Sequence, residues 1–170
     1  MTNDLKSSLS KFAFELIGSM FLTMFFTSLD QSVILGSLTV LTIFTWKITK
    51  SHFNPAITLA YMLKKNDRMP VLLGIFYIVS QILGAYVGAL IVNFYTLDLQ
   101  VLTFWDDFFV RSFVNELLGS FFFVIFVLIQ IDEKLSMTKH ATLHCFGIAS
   151  SYVAARAIFA GQTHGTTSSH

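Results

Sequence analysis

The sequence predicts an all-α membrane protein of five transmembrane helices and one re-entrant half-helix, an incomplete inverted repeat forming a single domain over residues 1–170. Three observations predict it. Apolar stretches of membrane-crossing length recur along the chain. Lysine and arginine alternate between the connections, and one short helix starts on a proline between two apolar runs. Hydrophobic residues make up 54% of the chain and charged residues only 12%, with a mean hydropathy of +0.68. Soluble domains carry about 25% charged residues, so half that density argues for lipid as the solvent.

Composition also excludes several classes. The net charge of +1 offers no electrostatic case for nucleic acid, and no glycine-rich phosphate loop occurs. Cys145 is the single cysteine, so no internal disulfide can form. No residue pattern pairs a nucleophile with a base, which argues against an enzyme, and the 19 phenylalanines read as packing and lipid contact with no cofactor implied. His140 and His144 stand at metal-ligand spacing, but no third ligand accompanies them, so no metal site is read there. The N-terminus does not read as a signal peptide, because Glu15 interrupts its apolar run and no small-residue cleavage site follows.

A spanning helix needs about 20 mostly apolar residues. Five stretches come close, at about 12–29, 31–48, 70–97, 111–131 and 141–160. Between the second and third lies "SHFNPAITLAYML". Pro55 can occupy the first turn of a helix there without losing a needed hydrogen bond. The helix it starts is too short to cross, so it reads as a re-entrant half-helix, tolerated at membrane depth only where its backbone faces protein or water.

Charge placement orients these elements. Lys6 and Lys11 precede the first span, and the first connection carries only Asp30. Lys47, Lys50, Lys64, Lys65 and Arg68 flank the half-helix. The next connection has Asp98, Asp106, Asp107 and a single Arg111, and the last has Lys134 and Lys139. The positive-inside rule reads this alternation as a multi-pass protein with a cytoplasmic N-terminus.

An internal echo supports the same layout. Residues 12–21 read "FAFELIGSMF" and residues 113–122 read "FVNELLGSFF", with a glutamate at the same register. A carboxylate in lipid-depth sequence is costly unless partnered, so chance resemblance of oily helices is a poor explanation. The topology inserts the two copies in opposite senses, the inverted-repeat signature of membrane channels and transporters. The first repeat covers about 11–97 and a partial second about 111–170. A fainter echo sets "TKSHFNPA", Thr49 to Ala56, beside the terminal "TSSH", Thr167 to His170. The expectation is that the chain stops just short of a second half-helix and a sixth span.

On "SHFNPAIT", the glutamates of "FELIGSMF" and "NELLGSFF", the third-helix "SQILGAYVGA" and the fifth-helix "FGIASSYVAARAIFAG", the chain resembles the major intrinsic protein family, the aquaporins and aquaglyceroporins. The resemblance implies two half-helices meeting at mid-membrane and a homo- or hetero-tetramer in a lipid bilayer, each protomer passing water or small neutral solutes, with no cofactor. Two function classes follow: a passive channel, truncated here, or a non-conducting truncated subunit that associates with full-length relatives.

Asn54 is the principal candidate site residue, with Pro55 and Ala56 as its scaffold. Its carboxamide could donate hydrogen bonds to a passing oxygen at the positive end of the half-helix. The plainer reading makes Asn54 an N-cap, and the two are compatible. His52 resembles the family's loop histidine, a structural or pore-lining contact through its carbonyl, against an ordinary interfacial polar residue. Glu15 and Glu116 look like the family glutamates that brace re-entrant loops, against a role as proton carriers, and Glu116 is expected to be buried with poor compensation. Leu35 and Ala154 fall at candidate selectivity positions, aliphatic or small, which leans toward a wider, glycerol-like opening. Arg156 is either a substitute for the absent filter arginine or a residue snorkelling to headgroups.

Overall fold

A computed structural model describes residues 2–26, 30–64, 68–96, 108–132, 134–136 and 138–159. These form six helices and no strand: α1 (Thr2–Phe26), α2 (Gln31–Thr49), α3 (Pro55–Leu63), α4 (Val71–Thr96), α5 (Phe108–Ile131) and α6 (Ala141–Phe159). Among the described residues four stretches are long and apolar enough to cross a membrane: Lys6–Phe26, Gln31–Thr49, Val71–Tyr95 and Phe113–Ile131. α6 has 19 residues, yet His144, Ser150, Ser151 and Arg156 keep it outside that group. α1 begins at Thr2, well ahead of the apolar stretch expected near residue 12, because residues 2–11 contain no glycine or proline to break it. The terminal Thr167–His170 echo, Lys65, and the acidic Asp98, Asp106 and Asp107 lie outside the described residues.

The helix ends follow local chemistry. Asp30 caps α2, its Oδ1 accepting the Ser32 N–H at 2.8 Å, and that bond holds the exposed carboxyl below its ordinary pKa. α2 stops where Lys50 turns left-handed, at φ 64°, and donates its N–H to the Trp46 carbonyl. α3 starts on Pro55 and runs nine residues. At about 1.5 Å per residue, that length covers roughly half of a hydrocarbon core about 30 Å thick.

The chain forms two compact units, Met1–Asp98 and Leu99–His170. In the first, α1 packs on α2 and α4, and α3 packs on α4. Gly84 and Gly88 let α4 approach the α1 backbone, because a Cβ at either position would meet the carbonyl of Leu16 or Met20. The interior of this unit mixes polarity. Ile34, Leu38, Phe53, Ile57 and Tyr77 are buried, and so are Glu15, Thr42, Thr45, His52, Thr58 and Gln81. Large apolar side chains cover the outside instead, with Phe44 74% and Phe94 79% exposed. That inversion suits a hydrocarbon solvent and would be costly in water.

In the second unit, α5 packs on α6. The Phe123 and Tyr152 rings meet edge-on at 5.1 Å, and Phe122 stacks on Phe159 at 5.5 Å. Gly147 leaves room for the Gln130 carboxamide. The connection is closed by Asp132, whose Oδ1 accepts the N–H of Lys134 at 2.9 Å and of Leu135 at 3.2 Å.

Candidate functional site

Residues 50–54 form the link from α2 to α3. Three non-glycine residues there adopt left-handed backbone: Lys50 at φ 64°, Ser51 at φ 53° and Phe53 at φ 47°. Each such residue costs about 1–2 kcal/mol for an L-amino acid. The link persists because it is anchored from several sides.

One anchor is a hydroxyl ladder on α2. Its buried stripe runs Ile34, Leu38, Thr42, Thr45, Thr49, so its lower half presents threonines to the link. The Ser51 hydroxyl bonds Thr45 Oγ1 at 2.6 Å and donates to the Thr42 carbonyl at 3.0 Å. The Ser51 N–H donates to Thr49 Oγ1 at 3.1 Å.

Glu15 is the second anchor. It lies on α1 and is fully buried. Its Oε1 accepts the His52 N–H at 3.1 Å, and its Oε2 accepts the Phe53 N–H at 2.8 Å. Gln81 of α4 donates Nε2–H to the same Oε2 at 2.7 Å, and the Thr49 hydroxyl adds a further bond. Hydrogen bonds to a charged acceptor contribute about 1.5–3 kcal/mol each, enough to offset the backbone strain beside them. The Phe53 ring fits over Gly18, where any Cβ would run into it.

His52 closes the arrangement. Its ring is buried, lies 4.3 Å from Tyr61 and meets Tyr77 edge-on at 5.3 Å. Its Nδ1 shares a hydrogen bond with Thr58 Oγ1 at 3.1 Å, and that hydroxyl accepts from Gln81 Nε2 at 3.0 Å. One network therefore links α1, α3, α4 and the 50–54 link through Glu15, Gln81, Thr58 and His52.

Asn54 stands at the end of this braced link. Its backbone is extended, and its Oδ1 accepts the Ala56 N–H at 2.8 Å, so it is the N-cap of α3. Its carbonyl accepts the Thr58 N–H at 3.1 Å. The residue is half-buried, and among the described residues no hydrogen bond engages its Nδ2. Pro55 follows at the first helical position, where its missing N–H costs nothing. The geometry presents two amide hydrogens at a helix N-terminus with its partial positive charge.

The remaining candidates have plainer surroundings. Leu35 is half-buried on α2 and accepts the Thr39 hydroxyl at its carbonyl. In the second unit, Glu116 is exposed on α5, not buried as expected. Among the described residues of that unit α6 is the element packed on α5, and no described link supplies N–H donors as residues 52 and 53 do for Glu15. On α6, Ala154 is exposed, whereas Arg156 is half-buried and hydrogen-bonds the Tyr152 side chain. Among the described residues no group of three or more His, Cys, Asp or Glu could hold a metal ion, and His144 is buried in α6.

Gln81, Thr58 and the α2 threonines were not singled out from the sequence. Gln81 carried a usable signal, a carboxamide inside the otherwise apolar "SQILGAYVGA", subject to the same desolvation argument as Glu15. Thr58 had a weaker one, since a helical threonine can always bond its own preceding turn.

Comparison with protein-family models matches residues 26–168 to the model described as MIP, major intrinsic protein. A search of curated proteins gives no match.

Proposed function

The chain belongs to the major intrinsic protein family, and from that premise we propose that it is a passive channel for water or small neutral solutes of the glycerol type. The family's members are channels, and the four apolar helices make this chain an integral, multi-pass membrane protein. The observation that carries the proposal is the state of Asn54. The cap bond to Ala56 fixes the carboxamide with its oxygen turned toward the α3 backbone, which leaves Nδ2 as a donor for a passing solute oxygen. The α3 N-terminus adds positive potential at the same point, which favours neutral solutes over cations.

In this reading Glu15 and His52 hold the link that carries Asn54, and Pro55 and Ala56 form its scaffold. Leu35, Ala154 and Arg156 are the channel's candidate selectivity positions, the first two aliphatic or small. The N-terminus faces the cytoplasm, and the chain assembles as a homo- or hetero-tetramer.

Reconstitution into proteoliposomes tests the central claim by osmotic swelling and cation-leak assays. Asn54→Asp replaces the donor with a carboxylate at the same size. The expected result is water flux lowered several-fold, or cation leak where the wild type has none. Unchanged permeability together with intact ion exclusion would remove Asn54 as the solute donor.

A further inference from the structure

We propose that the basic end of the first unit, formed by Lys47, Lys50, Lys64 and Arg68, is a docking surface for the phosphate of an anionic lipid headgroup. The fold gathers these residues at one end. Lys47 sits in the last turn of α2 and Lys50 is its C-cap, while Lys64 is the C-cap of α3. The His52 ring against Tyr61, at 4.3 Å, sets the start of the re-entrant link level with the last turns of α3. Arg68 and Met69 fold back over the same helix end, with Arg68 Nε donating to the Met62 carbonyl at 2.9 Å and the Met69 N–H to the Tyr61 carbonyl at 3.2 Å.

The charge at this end is mostly basic: from Lys47 to Arg68 the sequence carries five cations and one acid, Asp67, which lies outside the described residues. Among the described side chains of the unit the acids are Glu15, buried beneath the link, and Asp30, at the opposite end of α2. Lys47, Lys50 and Arg68 are exposed. Ammonium groups beside a guanidinium fork match a phosphate diester in charge and in donor geometry. Basic clusters at a membrane surface draw anionic lipids within about a Debye length.

Lys50 makes the surface more than a by-product of topology. The positive-inside rule asks for a cation somewhere near this end and is indifferent to its backbone. Lys50 occupies a left-handed position, φ 64°, that glycine would fill without strain. Its Nζ is held over the Trp46 ring, 5.4 Å from the centroid. A strained, exposed cation preset on an aromatic ring points to a ligand at that spot. The inference rests on the membrane-spanning character of the unit and is independent of the channel reading.

The test uses the full chain purified in neutral detergent, with tryptophan fluorescence reporting thermal unfolding. Phosphatidylglycerol is expected to raise the unfolding midpoint by about 4 °C or more, with phosphatidylcholine giving no comparable rise. The variant carrying Lys47→Gln, Lys50→Gln, Lys64→Gln and Arg68→Gln is expected to lose most of that difference. Should that variant fail to purify, Lys50→Gln and Arg68→Gln singly are each expected to cut the phosphatidylglycerol-specific rise in unfolding midpoint by about a third or more. Equal shifts with both lipids overturn the proposal, as do variants that keep the full anionic preference. Inorganic phosphate reproducing the shift also overturns it, because the occupant would then be a free anion.

Discussion

Lys50, Ser51 and Phe53 show how much local strain a few well-placed acceptors can hold. Left-handed backbone at three non-glycine residues would not persist in an unsupported loop, and here it persists beside Glu15 and the α2 threonines. Two substitutions separate strain from support. Lys50→Gly removes the steric conflict at φ 64° while keeping the N–H bond to Trp46, and is expected to stabilise the protein by about 1 kcal/mol. Thermal unfolding in neutral detergent checks it; lowered stability would mean the Trp46 contact outweighs the strain. Glu15→Gln keeps the shape but turns an amide NH₂ toward one of the N–H donors now satisfied. Destabilisation of about 2–4 kcal/mol is expected, with slowed osmotic flux, because the link carrying Asn54 loses its acceptor. Wild-type melting of the Glu15→Gln protein would show that the carboxylate is dispensable as a brace.

Elements here are set by close approach as much as by apolar matching. α1 and α4 meet at Gly84 and Gly88, where backbone carbonyls take the place a side chain would need. Such contacts carry much of helix association in lipid, since hydrocarbon solvates apolar side chains as well as another helix does. Gly84→Ala is therefore expected to destabilise the α1–α4 pair by about 1–3 kcal/mol. Gly36 on α2 is the internal control, because a Cβ there meets nothing within 4 Å. Gly36→Ala is expected to stabilise by up to about 1 kcal/mol through helix propensity alone. Paired unfolding curves of the two variants check the opposite signs, and a shared sign would refute the close-packing account. α3 depends on both effects: proline and the Asn54 cap start it, while Thr58 and His52 tie it to α4 and the link.

For the whole molecule, the distribution of polarity is the governing feature. Polar side chains turn inward in the first unit, and large apolar ones such as Phe44, Phe76 and Phe94 turn outward, so stability is defined only in lipid or detergent. The buried carboxylate of Glu15 accepts backbone and side-chain donors on both oxygens, which suits a fixed brace better than a site that must load and release a proton. Solute flux through reconstituted protein is accordingly expected to follow the osmotic gradient and to ignore an imposed pH gradient. Flux driven by a pH gradient at equal osmolarity would instead place Glu15 or Glu116 in a proton-coupled cycle.

The sequence by itself determined the apolar helices, the break at Pro55 and the cap at Asn54, because each is written within a few neighbouring residues. A run of apolar side chains, a proline at the first turn and an amide just before it act over one or two turns and need no partner from elsewhere. Only the tertiary structure decided what Glu15 holds, since its N–H partners lie 37 and 38 residues away and its carboxamide partner 66 away. It alone brought Gln81 and Thr58 into the network and left Glu116 exposed on α5. The physical reason is distance along the chain: a buried polar group announces in sequence that it requires partners, but which ones reach it depends on how helices pack.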